Sequence, residues 1–150
     1  MKCDMNHIPT IGIITQITHL SMNQAKMLFG RFDLKAGQAG ILFILSHMGE
    51  LSQRELASQL NVTPSSITTA IQKMEKLDYI KRKPDDNDQR IMRLGLTDRG
   101  KACLEDIKAV AEEMDDIIFR GMSQEEKLLL RRMLVQIRDN LDYNMKGREL

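Results

Sequence analysis

Tryptophan is absent, and phenylalanine and tyrosine bring the aromatic share to only 4%. So few aromatic rings are poor material for a platform that stacks the bases of single-stranded RNA. Cysteine occurs twice, as Cys3 and Cys103. Two thiols make no disulfide framework, and a reducing cytoplasm is the expected compartment. No apolar run reaches the ~18–20 residues that cross a bilayer. The nearest, Ile11 to Ile17, is interrupted by Thr15 and Gln16 and lacks the cleavage pattern of a secretory signal. Only 3 prolines and 9 glycines interrupt the chain, which leaves long stretches free for helix.

An excess of one charge is missing as well. Lys and Arg number 22, Asp and Glu 21, and the net charge is +1. A histone-like polycation is excluded. Nucleic-acid binding is not, because a sum says nothing of where charges lie. Here they lie unevenly. Residues 51–101 hold 10 basic and 7 acidic side chains, and residues 102–150 hold 8 and 11.

Catalytic signatures are absent too: no P-loop, no GxSxG, no HExxH. A small helical enzyme is the reading this weakens most. Asp86 and Asp88 open like a calcium loop, but Arg90 stands at the third ligand position and no glycine follows. Cys3 and His7 are four apart, yet they sit in a short arm before Pro9, and His19 and His47 stand alone in helical stretches. Neither a metal nor a cofactor is expected.

What is present is helical periodicity with clear punctuation. Residues 10–30 carry Ile13, Ile14, Ile17, Leu20, Met27 and Leu28 at mostly helical steps. A second helix is expected from Ala36 to Met48, with Ala39, Ile41, Leu42 and Leu45 inward and Gly49 as its stop. Ser52-Gln53-Arg54-Glu55 is a capping box, flanked by Leu51 and Leu56 as a hydrophobic staple. The helix it starts ends at Asn61-Val62. Thr63-Pro64 starts another, with Thr63 as N-cap and proline at N1, where its missing N–H costs nothing. Val62 and Ile67 form a second staple. Ile67, Ile71, Met74 and Leu77 make the buried stripe. Ser65, Ser66, Thr68, Thr69, Gln72, Lys73 and Lys76 lie largely off it.

Two short helices joined by about three residues have the spacing of a helix-turn-helix. A polar helix face alone decides nothing, since any surface helix has one. The next segment does. Tyr79 to Lys83 is a short basic strand, Met92 to Leu96 alternates with period two, and the turn-rich run from Pro84 to Arg90 joins them. Helix-turn-helix followed by hairpin is a winged helix. After Thr97, a further N-cap, a helix is expected over about 98–121, with a seam of Leu104, Ile107, Ala111, Met114 and Ile118. Ser123 to Glu126 is another capping box, and Leu130, Leu134, Ile137 and Leu141 continue a second seam. These helices have more apolar face than one winged helix can cover. A dimer interface or a monomeric helical bundle would each use it. The expected fold is mostly α with a small β-hairpin wing. Residues 35–97 would form the DNA-binding domain, and residues 1–34 and 98–150 a helical dimerisation region.

The runs Gly49 to Ala57 and Val62 to Thr68 resemble the MarR (multiple antibiotic resistance regulator) family. So do Tyr79-Ile80-x-Arg82, Asp88-x-Arg90 and Leu94-x-Leu96-Thr97-x-x-Gly100. The similarity extends over the whole chain. Where the family often has glycine before the first wing strand, this chain has Asp78. The resemblance implies a homodimeric regulator of transcription, most simply a repressor, bound to a pseudo-palindromic double-stranded DNA operator. It implies release by a small phenolic or lipophilic effector or by an oxidant. By resemblance, Ser65, Ser66, Thr69 and Lys73 face bases and phosphates. Arg90 is the wing-tip arginine of the minor groove, Asp88 orients it, and Arg82 and Lys83 lie near phosphates. Cys3 is a candidate redox sensor by position, and Cys103 is expected to be buried and inert. Eleven methionines suggest adaptable packing, and Met27, Met48 and Met114 are candidates for an effector cavity. The alternative function is a winged helix that binds protein and not DNA.

Overall fold

The computed structural model describes residues 8–147. Seven helices and three strands follow one another: α1 (Thr10–Gly30), α2 (Ala36–Met48), β1 (Leu51–Ser52), α3 (Gln53–Gln59), α4 (Pro64–Lys76), β2 (Ile80–Pro84), β3 (Met92–Leu96), α5 (Asp98–Ala102), α6 (Leu104–Ile118) and α7 (Gln124–Lys146). The chain forms two compact units, residues 1–114 and 115–150. No helix among the described residues is long and apolar enough to cross a membrane.

The first unit is organised around one cluster. Ile41, Leu42 and Leu45 of α2 meet Leu56 of α3, Ile67, Ile71 and Met74 of α4, Ile80 of β2, Leu94 of β3 and Ile107 of α6. Several of these are wholly buried, and each such side chain contributes about 1.5–3 kcal/mol of transfer free energy. The expected inward faces of α2 and α4 are those observed. In α1 only Leu28 is buried, while Ile13, Ile17, Leu20 and Met27 stay exposed.

Local chemistry sets the boundaries. Ser52 and Glu55 close the capping box as expected: Glu55 N donates to Ser52 Oγ at 3.2 Å and Ser52 N donates to Glu55 Oε2 at 2.7 Å. Ser123 and Glu126 repeat it at the start of α7. Thr63 occupies the N-cap of α4 but makes no side-chain cap bond. Its hydroxyl lies 3.2 Å from Ser65 Oγ instead.

The hairpin wing is formed as expected and gains a third strand, while one helix needs correction. The wing is part of a three-stranded antiparallel sheet of order β1-β3-β2, with Leu51 opposite Leu94 and Arg82 on its other side. The single helix expected over 98–121 is broken at Cys103 into α5 and α6, and Ile118 ends it. Just before the break lies a close approach. A Cβ on Gly100 would lie 2.1 Å from the Tyr79 carbonyl oxygen, so this turn of α5 is pressed against the α4–β2 junction. Thr97 secures the same junction: its amide donates to Tyr79 O at 3.2 Å and its hydroxyl to the Asp78 carbonyl. Asp78 itself has φ +61°. That left-handed conformation is the one glycine adopts freely, and a short Asp side chain tolerates it.

Candidate nucleic-acid interface

Helix α4 exposes Ser65, Ser66, Thr69, Gln72, Lys73 and Lys76, while its opposite face enters the core. Steps of four carry Ser65 to Thr69 to Lys73 along a single face. At its first turn the side chains are small hydroxyls, and Ser66 Oγ donates to the Thr63 carbonyl at 2.7 Å. A helix that leads with small polar groups enters a major groove without clash. Its angle is fixed from α3 by Gln53. The Gln53 amide donates to the Pro64 carbonyl and to Thr68 Oγ1, each at 2.8 Å. Nothing in the sequence pattern marks Gln53 for this role, because its partners lie 11 and 15 residues away.

The wing tip is built by aspartates. Asp85 Oδ1 accepts the amides of Asn87 and Asp88 at 2.8 and 3.1 Å, and Asp85 N donates to the Ile91 carbonyl at 2.8 Å. Asp88 Oδ1 then accepts Arg90 N at 3.0 Å and Arg90 Nε at 3.3 Å. Arg90 is 92% exposed and projects from this loop. The expected Asp88–Arg90 pair is therefore formed.

Three other wing cations, Arg82, Lys83 and Arg93, are engaged within the chain. Arg82 grips Glu75 of α4 in a forked pair, Nε to Oε1 at 2.6 Å and Nη2 to Oε2 at 3.3 Å. Lys83 Nζ lies 2.7 Å from Glu50 Oε2, and that bond pushes its pKa up. Both were expected near phosphates; each instead has an internal carboxylate to exchange first. Arg93, not anticipated from the sequence, donates to Asp85 Oδ2 at 2.6 Å and also to Glu55.

Arg93, followed by the Asn87 and Asp88 amides, pulls the Asp85 carboxyl from 3.8 down to about 2. A carboxyl whose pKa is lower in the folded chain stabilises it only while ionised. Its contribution is complete above about pH 4 and is lost as pH falls from 3.8 through about 2. The urea midpoints of wild type and Asp85→Asn should therefore differ by a constant amount near neutrality and converge below pH 3.8. A gap that persists undiminished toward pH 2 would contradict the ionised pair.

The remaining candidates fare differently. Cys3 and His7 lie outside the described residues. Cys103 is half-buried, not fully buried, and burial pushes its thiol up, away from reactivity. Met27 and Met48 are 63% and 52% exposed, and Met114 is half-buried. A cavity of about 380 Å³ in the first unit is lined by other residues, among them Phe43, His47, Leu104, Ile107 and Lys108. Phe43 and His47, four apart on α2, stack there with ring centroids 4.2 Å apart. Among the described residues no three His, Cys, Asp or Glu side chains form a group that could hold a metal.

A helix-turn-helix, a three-stranded sheet and a tip arginine held by aspartate now stand together. The family model for the MarR family matches residues 34–92, from the end of the α1–α2 turn to the first residue of β3. The chain carries a MarR-family segment over those residues. The match and the regulators it resembles support a DNA-binding winged helix-turn-helix regulator of transcription. It is similar to the HTH-type transcriptional regulator PecS of Dickeya dadantii, 25% identical over 94% of this chain and 87% of PecS. It is likewise similar to the HTH-type transcriptional regulator FarR of Neisseria gonorrhoeae, 29% identical over 85% of this chain and 86% of FarR. Its fold is that of MepR of S. aureus, solved as a DNA complex, with a TM-score of 0.81 at 22% identity over 91% of this chain and 99% of MepR.

Proposed function

We propose that this MarR-family chain is a homodimeric repressor that reads a pseudo-palindromic operator. Residues 35–97 contact DNA, and residues 1–34 and 98–150 hold the two copies together. Each α4 enters a major groove through Ser65, Ser66, Thr69 and Lys73, and each Arg90 reaches the adjacent minor groove. The half-sites lie about one helical turn, ~34 Å, apart. The observation that carries this reading is the pairing of a polar recognition face on α4 with an arginine 92% exposed at the wing tip. An arginine suits the negative potential of a narrow minor groove. Repression follows from occlusion of the promoter. An effector, a small phenolic or lipophilic molecule or an oxidant, shifts the spacing of the two winged helices. The cavity lined by Phe43, His47 and Ile107 is its site for a small molecule.

The test is the salt dependence of binding to duplex DNA. Each phosphate neutralised by Lys or Arg lowers the logarithmic slope by about 0.9. A clear negative slope, together with a selected sequence preferred over random duplex, is expected. A winged helix that docks on protein would show little affinity for duplex at any salt.

A further inference from the structure

The wing's least exposed ion pair is not one that faces outward. Arg93 is 26% exposed and Asp85 13%, whereas Arg90 is 92% exposed. Arg93 sits on β3, the central strand, opposite Ser52 of β1 and Lys83 of β2. An arginine on a wing strand would ordinarily be assigned to a phosphate. Here Nε is committed to Asp85 and Nη1 to Glu55.

The two acids come from different parts of the unit. Glu55 is immobilised in the first turn of α3, where the same Oε2 also accepts the Ser52 amide. Asp85 begins the hairpin loop. Its Oδ2 takes Arg93, and its Oδ1 takes the amides of Asn87 and Asp88. Asp88 in turn takes the amide and Nε of Arg90. The chain of contacts thus runs from the N-terminus of α3 through Arg93, Asp85 and Asp88 to Arg90. Only an arginine offers two donors in a fixed fork for two separate carboxylates; a lysine presents one rotating point charge.

We propose that Arg93 is a positioning residue for Arg90. Clamped between Glu55 and Asp85, it holds the hairpin loop in the conformation that aims Arg90 into the minor groove. The inference rests on the reading of Arg90 as the minor-groove residue. What Arg93 adds is preorganisation: the loop is ordered before DNA arrives, so binding does not bear that cost.

The experiment is a double-mutant cycle on the full chain, using the duplex that the wild-type protein selects from a random pool. Arg93→Met should weaken binding about three- to tenfold, within the range for residues that share one hydrogen-bonded network. Arg93→Lys, which keeps the charge and loses the fork, should bind as poorly. In an Arg90→Ala background, Arg93→Met should cost nothing further, since the group it positions is gone. Losses that add in the double variant, or full rescue by Arg93→Lys, would overturn the proposal and leave the role of Arg90 standing. An Arg90→Ala variant with wild-type affinity would overturn both. Should Arg93→Met fail to fold, Asp85→Asn cycled against Arg90→Ala carries the same test, with coupled losses expected and additive losses against it.

Discussion

Replacing Arg90 by alanine should weaken operator binding roughly ten- to hundredfold and leave the fold untouched. The size follows from symmetry. The proposed homodimer would insert two wings, so one substitution would remove two groove contacts. The specificity of the loss follows from geometry. Arg90 is 92% exposed, and its pair with Asp88 is a surface contact of the kind that adds little to stability. Thermal unfolding of the variant should therefore match wild type. The lost affinity should also depend on sequence. A narrow minor groove belongs to A·T-rich steps, and its potential is what draws arginine in. Exchanging A·T for G·C pairs at the wing positions should penalise wild type and scarcely touch Arg90→Ala. A mobility-shift titration on the two duplexes reads both effects, and equal affinity of the two proteins for the A·T-rich site would refute the assignment.

The cancelled charge of the whole chain takes on meaning at this site. Arg82, Lys83 and Arg93 carry much of the basic excess of residues 51–101, and Glu75, Glu50, Glu55 and Asp85 hold all three. Attraction to DNA of any sequence is damped by these internal partners. In the proposed function selectivity then falls to Arg90, exposed at the wing tip beside Asp88, and to the hydroxyl-led face of α4.

Much of this was legible because it is local. Caps at Ser52 and Ser123, proline at Pro64 and the stripe of Ile67, Ile71 and Met74 all declare themselves within a turn or two of helix, and the extents of α1 and α2 were anticipated. The misses share one cause, which is distance along the chain. Strand β1 is two residues long and overlaps a capping box; only pairing with Leu94 and Arg93 makes it a strand. The seam through Leu104 and Ile107 runs on without a flaw, so nothing in it marks the break at Cys103, and the close approach of Gly100 to Tyr79 is equally invisible in the local pattern. The clamp on Arg93 joins residues 8 and 38 positions apart. In the strand pattern that arginine looks like any outward cation. Asp78 is the instructive middle case. It stands where the family often has glycine, a departure that left the local turn geometry open, and the turn keeps the left-handed conformation at φ +61°.

Helix α7 yields the second large effect, through what it leaves uncovered. It spans 23 residues and has no buried side chain. Leu134, Ile137 and Leu141 are 50%, 37% and 62% exposed, at the spacing of a helix–helix seam. An apolar face of this length on a helix with sound caps is a surface that awaits a partner. In the proposed homodimer a second copy covers it. Burying one leucine contributes about 1.5–3 kcal/mol, and twofold symmetry counts it twice. A carboxylate at the same place reverses the sign, because a charge taken out of water without a partner is strongly unfavourable. Leu134→Glu should therefore convert the dimer to monomer or unfold it, and light scattering will report the mass. Operator affinity should fall about a hundredfold or more, since two half-sites bound by one tethered pair become two independent encounters. Gln136→Glu, on the same helix but away from the seam, should remain dimeric and bind normally. A Leu134→Glu protein of unchanged dimer mass and unchanged operator affinity would exclude α7 as the interface.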